Sequence, residues 1–413
     1  MSKIVQAAMR SKRSTVLPWF LLATLAVWGC GGGDQGSGNR DQADGNLASS
    51  SETVADQAPA DAAVSETVHP KYEIHSPAFL SWLNTVHHLQ ARQTVRSDEY
   101  ERIFALPAYR MTYGDQGGAD FNPIILRKVM EYVFAPDLNG SDRAPKKKRF
   151  VTNYQYINGR LDAAINLADT LNTLGTFSRA LARAYPFIPE FRRPETLHIH
   201  LTASSPQMTW FPPDALILDV GLALAAGPSQ LEDMIAATLI RSLAPPASPL
   251  PHEAESGREA LRSTFRKLHH EGIVNLIEQY PTLRLDVAHP TYQTPDVNRP
   301  RALQQAVLVL NRMGLMLETL LDPDSDTLET TGSSVDDLMR IGRQYEPTGY
   351  AMNRLIINRL GPDRFQEAAV SGPVAWLSAY QEAALQGDAR GELADMPPFG
   401  EVVFTRLLDL MNR

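Results

Sequence analysis

The chain of 413 residues is 43% hydrophobic and 21% charged, with one cysteine. Wholesale disorder, a collagen-like fibre and a disulfide scaffold are thereby excluded. Its 39 Lys and Arg stand against 47 Asp and Glu, a net charge of −8. That balance argues against a general nucleic-acid binder, which needs clustered Lys and Arg.

Four bases, Lys3, Arg10, Lys12 and Arg13, precede an apolar run of 14 residues from Val16 to Gly29. The run is short of the ~20 residues that span a bilayer and has the basic-then-apolar form of a secretory signal. It stops at Val27-Trp28-Gly29-Cys30. This resembles a bacterial lipobox: an aliphatic residue at −3, a small one at −1, then Cys. Trp28 departs from the pattern at −2, where a small residue is usual. The resemblance implies a signal peptide over 1–29, lipidation of Cys30, and a place in the cell envelope, with membrane attachment through that lipid. Gly31 after Cys30 points to the outer membrane. Residues 31–69 hold seven acids, one base (Arg40) and no aromatic residue. Residues 30–69 therefore read as a lipid-anchored flexible acidic linker, whose r.m.s. reach is roughly 35 Å.

From residue 70 onward the pattern is mainly α with a small β-sheet, an α+β class. Its length suggests two lobes, a helical one over 70–195 and a second over 196–413. Pro77 to Gln90 is amphipathic, with Phe79, Leu80, Leu83, Val86 and Leu89 apolar. Asn122-Pro123 is an N-cap and N1 pair opening a helix to about Phe134. Arg160 to Tyr185 is a long helical pattern with one glycine, Gly175. Thr196-Leu-His-Ile-His-Leu-Thr alternates, and Ala215-Leu-Ile-Leu-Asp-Val is a second short apolar run. Both read as strands, joined by a loop rich in proline. Helices follow over about 230–243, 255–279, 300–320, 334–344, 348–360, 363–370, 373–386 and 400–412.

Two strands followed by two helices is the order of zinc metallopeptidases whose first helix carries His-Glu-x-x-His. Two His at i and i+4 bind the metal there, and the Glu between them is the general base. A Glu on the next helix completes the ligands. His270-Glu271-Gly272-Ile273-Val274-Asn275-Leu276-Ile277 is similar to that later element in a family of zinc-dependent proteases of unknown function. Tyr345-Glu-Pro-Thr-Gly349-Tyr350-Ala-Met352, Leu360-Gly361 and the stretches around Phe79 and Tyr100 to Tyr109 also resemble that family. The resemblance covers most of 70–390 and implies a gluzincin-like scaffold. In its register Ala237 stands at the first His, Thr238 at the Glu and Arg241 at the second His. A methyl, a hydroxyl and a guanidinium supply no metal ligand, and Arg stays protonated. Glu271 alone remains, so no catalytic residue and no cofactor is expected. Arg241 either fills the metal's space and pairs with Glu271, or the two are unrelated surface residues.

Two other patterns bear on metal binding. His198 and His200 point to one face of a strand, and with Glu271 they would make an alternative zinc site. His252-Glu253-Ala254-Glu255-Ser256 matches the zinc motif for two residues only; Glu253 and Glu255 read as acids near a helix start. Lys146-Lys147-Lys148-Arg149 reads as solvated surface. No Gly-rich phosphate loop, Gly-x-Ser-x-Gly elbow or Cys nucleophile occurs.

The expected function is that of an exported lipoprotein with a non-catalytic metallopeptidase-like domain. It would bind a peptide or envelope partner along an exposed edge at Ala215 to Val220. The alternatives are an active zinc-dependent protease with other ligands, and a helical envelope interaction module unrelated to peptidases.

Overall fold

A computed structural model describes residues 71–412, apart from 115–120, 139–144, 245–250, 279–298, 387–395 and the single positions 323, 325, 326, 332, 342 and 343. The signal-like segment 1–29, Cys30 and the acidic stretch to residue 69 lie outside the described residues.

Strand β1 (Lys71–His75) leads into α1 (Pro77–Gln90), α2 (Ser97–Phe104), α3 (Pro107–Tyr113), α4 (Pro123–Phe134) and α5 (Lys148–Asn158). The Asn122 side chain accepts from the Ile125 N–H at 3.0 Å, so α4 starts where an Asn-Pro pair should start it. The long helical pattern over Arg160 to Tyr185 is divided into α6 (Leu161–Ile165), α7 (Leu167–Thr173) and α8 (Thr176–Ala184). Gly175 sits at φ +62°, a left-handed conformation that a continuing helix cannot contain.

Next come β2 (Thr196–Thr202), β3 (Met208–Phe211) and β4 (Ala215–Asp219), then α9 (Val220–Leu243) and α10 (Gly257–Ile277). Gly227 (φ 67°, ψ 171°) followed by Pro228 breaks α9 into two helical segments. The Ser256 hydroxyl caps α10 by accepting from the Glu259 N–H at 3.2 Å. The Glu259 carboxylate reaches back to the Glu255 N–H at 3.0 Å. Ser256 is thus a helix cap. The remaining helices are α11 (Arg299–Leu320), α12 (Thr327–Thr331), α13 (Ser334–Ile341), α14 (Tyr345–Leu360), α15 (Pro362–Ser371), α16 (Pro373–Leu385) and α17 (Glu401–Asn412). The architecture is mainly α with a small β-sheet, as the sequence pattern implies.

The sheet has the order β1-β2-β4-β3; β1, β2 and β4 are parallel and β3 is antiparallel. Leu197, Ile199 and Leu201 of β2 are fully buried, while His198 and His200 between them face outward. β4 is buried along its whole length and paired on both sides. The expected docking edge at Ala215 to Val220 is therefore corrected: the edges are β1 and β3. β3 lies inside the proline-rich connection that reads as a loop, because four residues are too few to display a period of two. The core beneath α1, α4 and α5 is aromatic: the Trp82 ring meets Phe134 and Tyr154 edge-on at 5.5 and 5.2 Å, and Phe121 stacks on Phe150 at 4.3 Å.

Candidate functional site

α9 is held at its N-terminus by one buried carboxylate. Asp219 accepts from the N–H groups of Gly221 (2.9 Å), Leu222 (3.2 Å) and Ser204 (2.7 Å) and from the Asn153 amide (2.9 Å). Burial outweighs the lowering effect of these donors and leaves its carboxyl raised to about 7. A Cβ at Gly221 would lie 1.9 Å from Asn153 Oδ1, so only glycine fits there. This knot ties α9 to α5 and to the end of β2.

α9 then presents Ala237, fully buried, and Arg241, whose side chain is 40% exposed, toward α10. The Arg241 guanidinium donates from both terminal nitrogens to the two oxygens of Glu278 at 2.6 Å each. Glu271 and Glu346 lie within its electrostatic reach. The expected partner of Arg241, Glu271, is thus corrected: Glu278, the C-cap residue about two turns further on at the end of α10, takes the bidentate contact. The physical reason is reach, since α10 runs past Arg241 and Glu278 offers both oxygens in line with the guanidinium fork. Burial raises the Glu271 carboxyl above its ordinary range; Glu346 adds to this, while Arg241 and Lys267 oppose it. His270 is buried, and burial together with the Arg241 charge lowers it to about 4. Neighbouring His269, also lowered to about 4 by burial, meets the Ala369 carbonyl at 3.1 Å and the Trp376 ring edge-on at 5.3 Å.

A close helix crossing sets this geometry. A Cβ on Gly272 would lie 2.9 Å from the Gly349 backbone, and one on Gly349 would lie 2.6 Å from Gly272 Cα. α10 and α14 therefore touch backbone to backbone one residue beyond Glu271 and three beyond Glu346. α14 begins at Tyr345, earlier than the expected 348, which places Glu346 in its first turn. Glu278 and Glu346 were not legible as site residues, because nothing in their local sequence marks them.

A second cluster stands on the sheet. The β1–β2 register pairs Glu73 with His198 and His75 with His200, so alternation puts all four on one face. His75 Nε2 lies 3.0 Å from His198 Nδ1, and Glu73 Oε2 lies 3.6 and 3.5 Å from those two atoms. The His200 ring stacks on His75 at 4.7 Å. Burial, then the neighbouring His75 and His198, lowers His200 to about 4, which keeps its ring neutral near pH 7. Among the described residues, Glu73, His75 and His198 are the group with metal-ligand spacing. Of the expected alternative set, His198 belongs to it; Glu271 is placed on α10 beside Arg241, and His200 flanks the group without joining it. This group leans against the expectation that the chain has no metal at all.

A family profile described as Putative zinc dependent peptidase (DUF5700) matches residues 100–389. The chain belongs to this family. No curated protein matches it, and no solved structure does. The match removes the reading of a helical module unrelated to peptidases. It takes in α9, α10 and α14, but ends short of β1, so Glu73 and His75 lie outside it while His198 lies within. The family's description implies zinc. At the α9–α10 crossing the side chains do not fit it: Ala237 offers a methyl, Thr238 a hydroxyl, and Arg241 a permanent cation already engaged by Glu278. Of the positions that the resemblance assigns to ligands, Glu271 alone offers one, where three protein ligands are needed.

Proposed function

We propose that this chain is a non-catalytic member of its family, an exported lipoprotein whose metallopeptidase-like domain binds an extended peptide or envelope partner. One observation carries the reading. Arg241, at the place the resemblance assigns to the second zinc-binding His, is bound by both oxygens of Glu278. A fixed guanidinium there repels a divalent cation and supplies the charge that neighbouring carboxylates need. Neither Ala237 nor Thr238 supplies a base for activating water.

The peptide-binding element is β3 rather than β4. β3 is an antiparallel edge strand packed beside α9, and it pairs with β4 on one side. An incoming extended segment would add main-chain hydrogen bonds along its outer side. Cys30 and the acidic stretch after it would hold the domain to a membrane surface through lipid; no helix among the described residues is long and apolar enough to cross one.

The test is incubation of the full chain with unfolded casein, with and without added zinc, read by mass spectrometry of the products. No cleavage above the buffer control is expected. Cleavage that Glu271→Gln abolishes would overturn the non-catalytic reading. Expression in a bacterial host fed a labelled fatty acid tests the anchor: label is expected on the chain and absent from Cys30→Ala, and label retained in that variant refutes it.

A further inference from the structure

We propose that Glu73, His75 and His198 bind one divalent cation of the zinc type on the outward face of the sheet, fastening edge strand β1 to β2. The inference does not rest on the non-catalytic reading, because none of these residues belongs to the α9–α10 crossing.

Three observations support it. The first is metric. The three candidate donor atoms form a triangle with sides of 3.0, 3.5 and 3.6 Å. The circle through them has a radius of about 2.0 Å, so a cation near its centre would meet each at roughly the 2.0–2.2 Å of zinc–nitrogen and zinc–oxygen bonds. A hydrogen bond between the two imidazoles accounts for the shortest side. It does not account for Glu73, whose oxygen stands nearly equidistant from both nitrogens and at hydrogen-bond distance from neither. A shared cation accounts for all three sides.

The second is orientation. His198 directs Nδ1 into the triangle and Nε2 toward Asp214 Oδ2, 4.0 Å away. Asp214 is fixed next to it, because its carbonyl accepts from the His198 N–H at 2.9 Å. The Asp214 carboxylate lies behind the distal nitrogen, beyond hydrogen-bond distance but on the side from which a carboxylate selects the tautomer of a metal-binding imidazole. His200, stacked on His75, restrains that ring from the other side.

The third is chemical. Two imidazoles and a carboxylate form a donor set that zinc takes readily. The side chains of Glu73, His75 and His198 are 62%, 35% and 32% exposed, which leaves an approach from solvent and a fourth position for water. β1 is a five-residue edge strand, short enough that a cation bridging it to β2 adds appreciably to its hold.

The experiment is zinc titration of the full chain, first stripped with chelator, in competition with a chromophoric chelator. Thermal unfolding with and without zinc and a cobalt(II) absorption spectrum accompany it. One zinc per chain is expected, with a raised Tm and the intense visible bands of tetrahedral cobalt. His75→Ala, His198→Ala and Glu73→Gln should each weaken binding more than about 100-fold, beyond the range of outer-shell changes. Asp214→Asn should weaken it about 10-fold. Glu271→Gln and Arg241→Ala should bind as the wild type does. The ligand side chains are partly exposed, and far-UV circular dichroism checks that each variant remains folded. Absence of binding, binding that survives in both His variants, or binding lost in Glu271→Gln overturns the inference. The casein assay reads cleavage and this one reads bound zinc, so failure of either proposal is visible separately.

Discussion

Gly349→Ala is the sharpest probe of how the α9–α10–α14 site is built. In an ordinary helix this change stabilises by about 1 kcal/mol, since Ala is the better helix former. Here the new Cβ would meet Gly272 Cα at 2.6 Å, the Leu268 carbonyl oxygen at 2.7 Å and the Gly272 nitrogen at 2.8 Å. All three are backbone atoms, so no side chain can swing aside. Restoring ordinary contact at 3.4 Å or more requires α10 and α14 to separate by roughly 0.8 Å. A gap of about 0.5–1 Å forfeits a quarter to a half of each dispersion contact across it. Overpacking costs about 1–3 kcal/mol, and a backbone-on-backbone clash belongs at the upper end. After the helix-propensity gain, the net loss is about 2 kcal/mol. Urea unfolding followed by circular dichroism measures it. Gly314→Ala on α11 is the control, because a Cβ there meets nothing within 4 Å. That variant should be stabilised by up to ~1 kcal/mol. If Gly349→Ala is as stable as the wild type, the helices do not cross as closely as described and the placement of Glu346 opposite Glu271 fails with them.

The remaining predictions concern charge and capping. A double-mutant cycle of Arg241→Ala with Glu278→Ala should give a coupling of at most about 1 kcal/mol, because the pair is partly exposed. A cycle with Glu271→Ala should give less; the reverse order would restore Glu271 as the partner. His270 has a folded value of about 4 against an ordinary 6.5. Between those values the unfolded chain holds a proton that the folded one does not, so His270 makes stability rise with pH across that window. Subtracting the stability–pH curve of His270→Leu from that of the wild type should leave a slope of about 1.4 kcal/mol per pH unit there; a flat difference refutes the burial of a neutral ring. Asp219→Ala strips the cap from α9 and leaves buried N–H donors without their acceptor. A loss of about 3 kcal/mol or more in urea unfolding is expected, and a loss under 1 kcal/mol would mean that Asp219 does not organise the turn.

The class of the fold and many of the helices can be read along the chain, because the signals are local. Asn122-Pro123 caps α4, and the period of 3.6 survives in any context. β2 is legible too, since its alternation of buried Leu197, Ile199 and Leu201 with outward His198 and His200 needs no partner to be read. Arg241 and Glu271 were legible as residues of one site, through the resemblance in their surroundings. Which side chains pair is visible only in the folded chain. Arg241 meets Glu278 because α9 packs against α10, while α14 closes on α10 at the Gly272–Gly349 crossing; both are contacts between positions far apart in the chain. Glu73 and His75 join His198 because β1 pairs in parallel with a strand more than a hundred residues later, and parallel register leaves no local mark on either segment. Helix caps and alternation arise from forces acting over a few residues and are written along the chain. Partner choice arises from packing between distant elements and exists only once they have met.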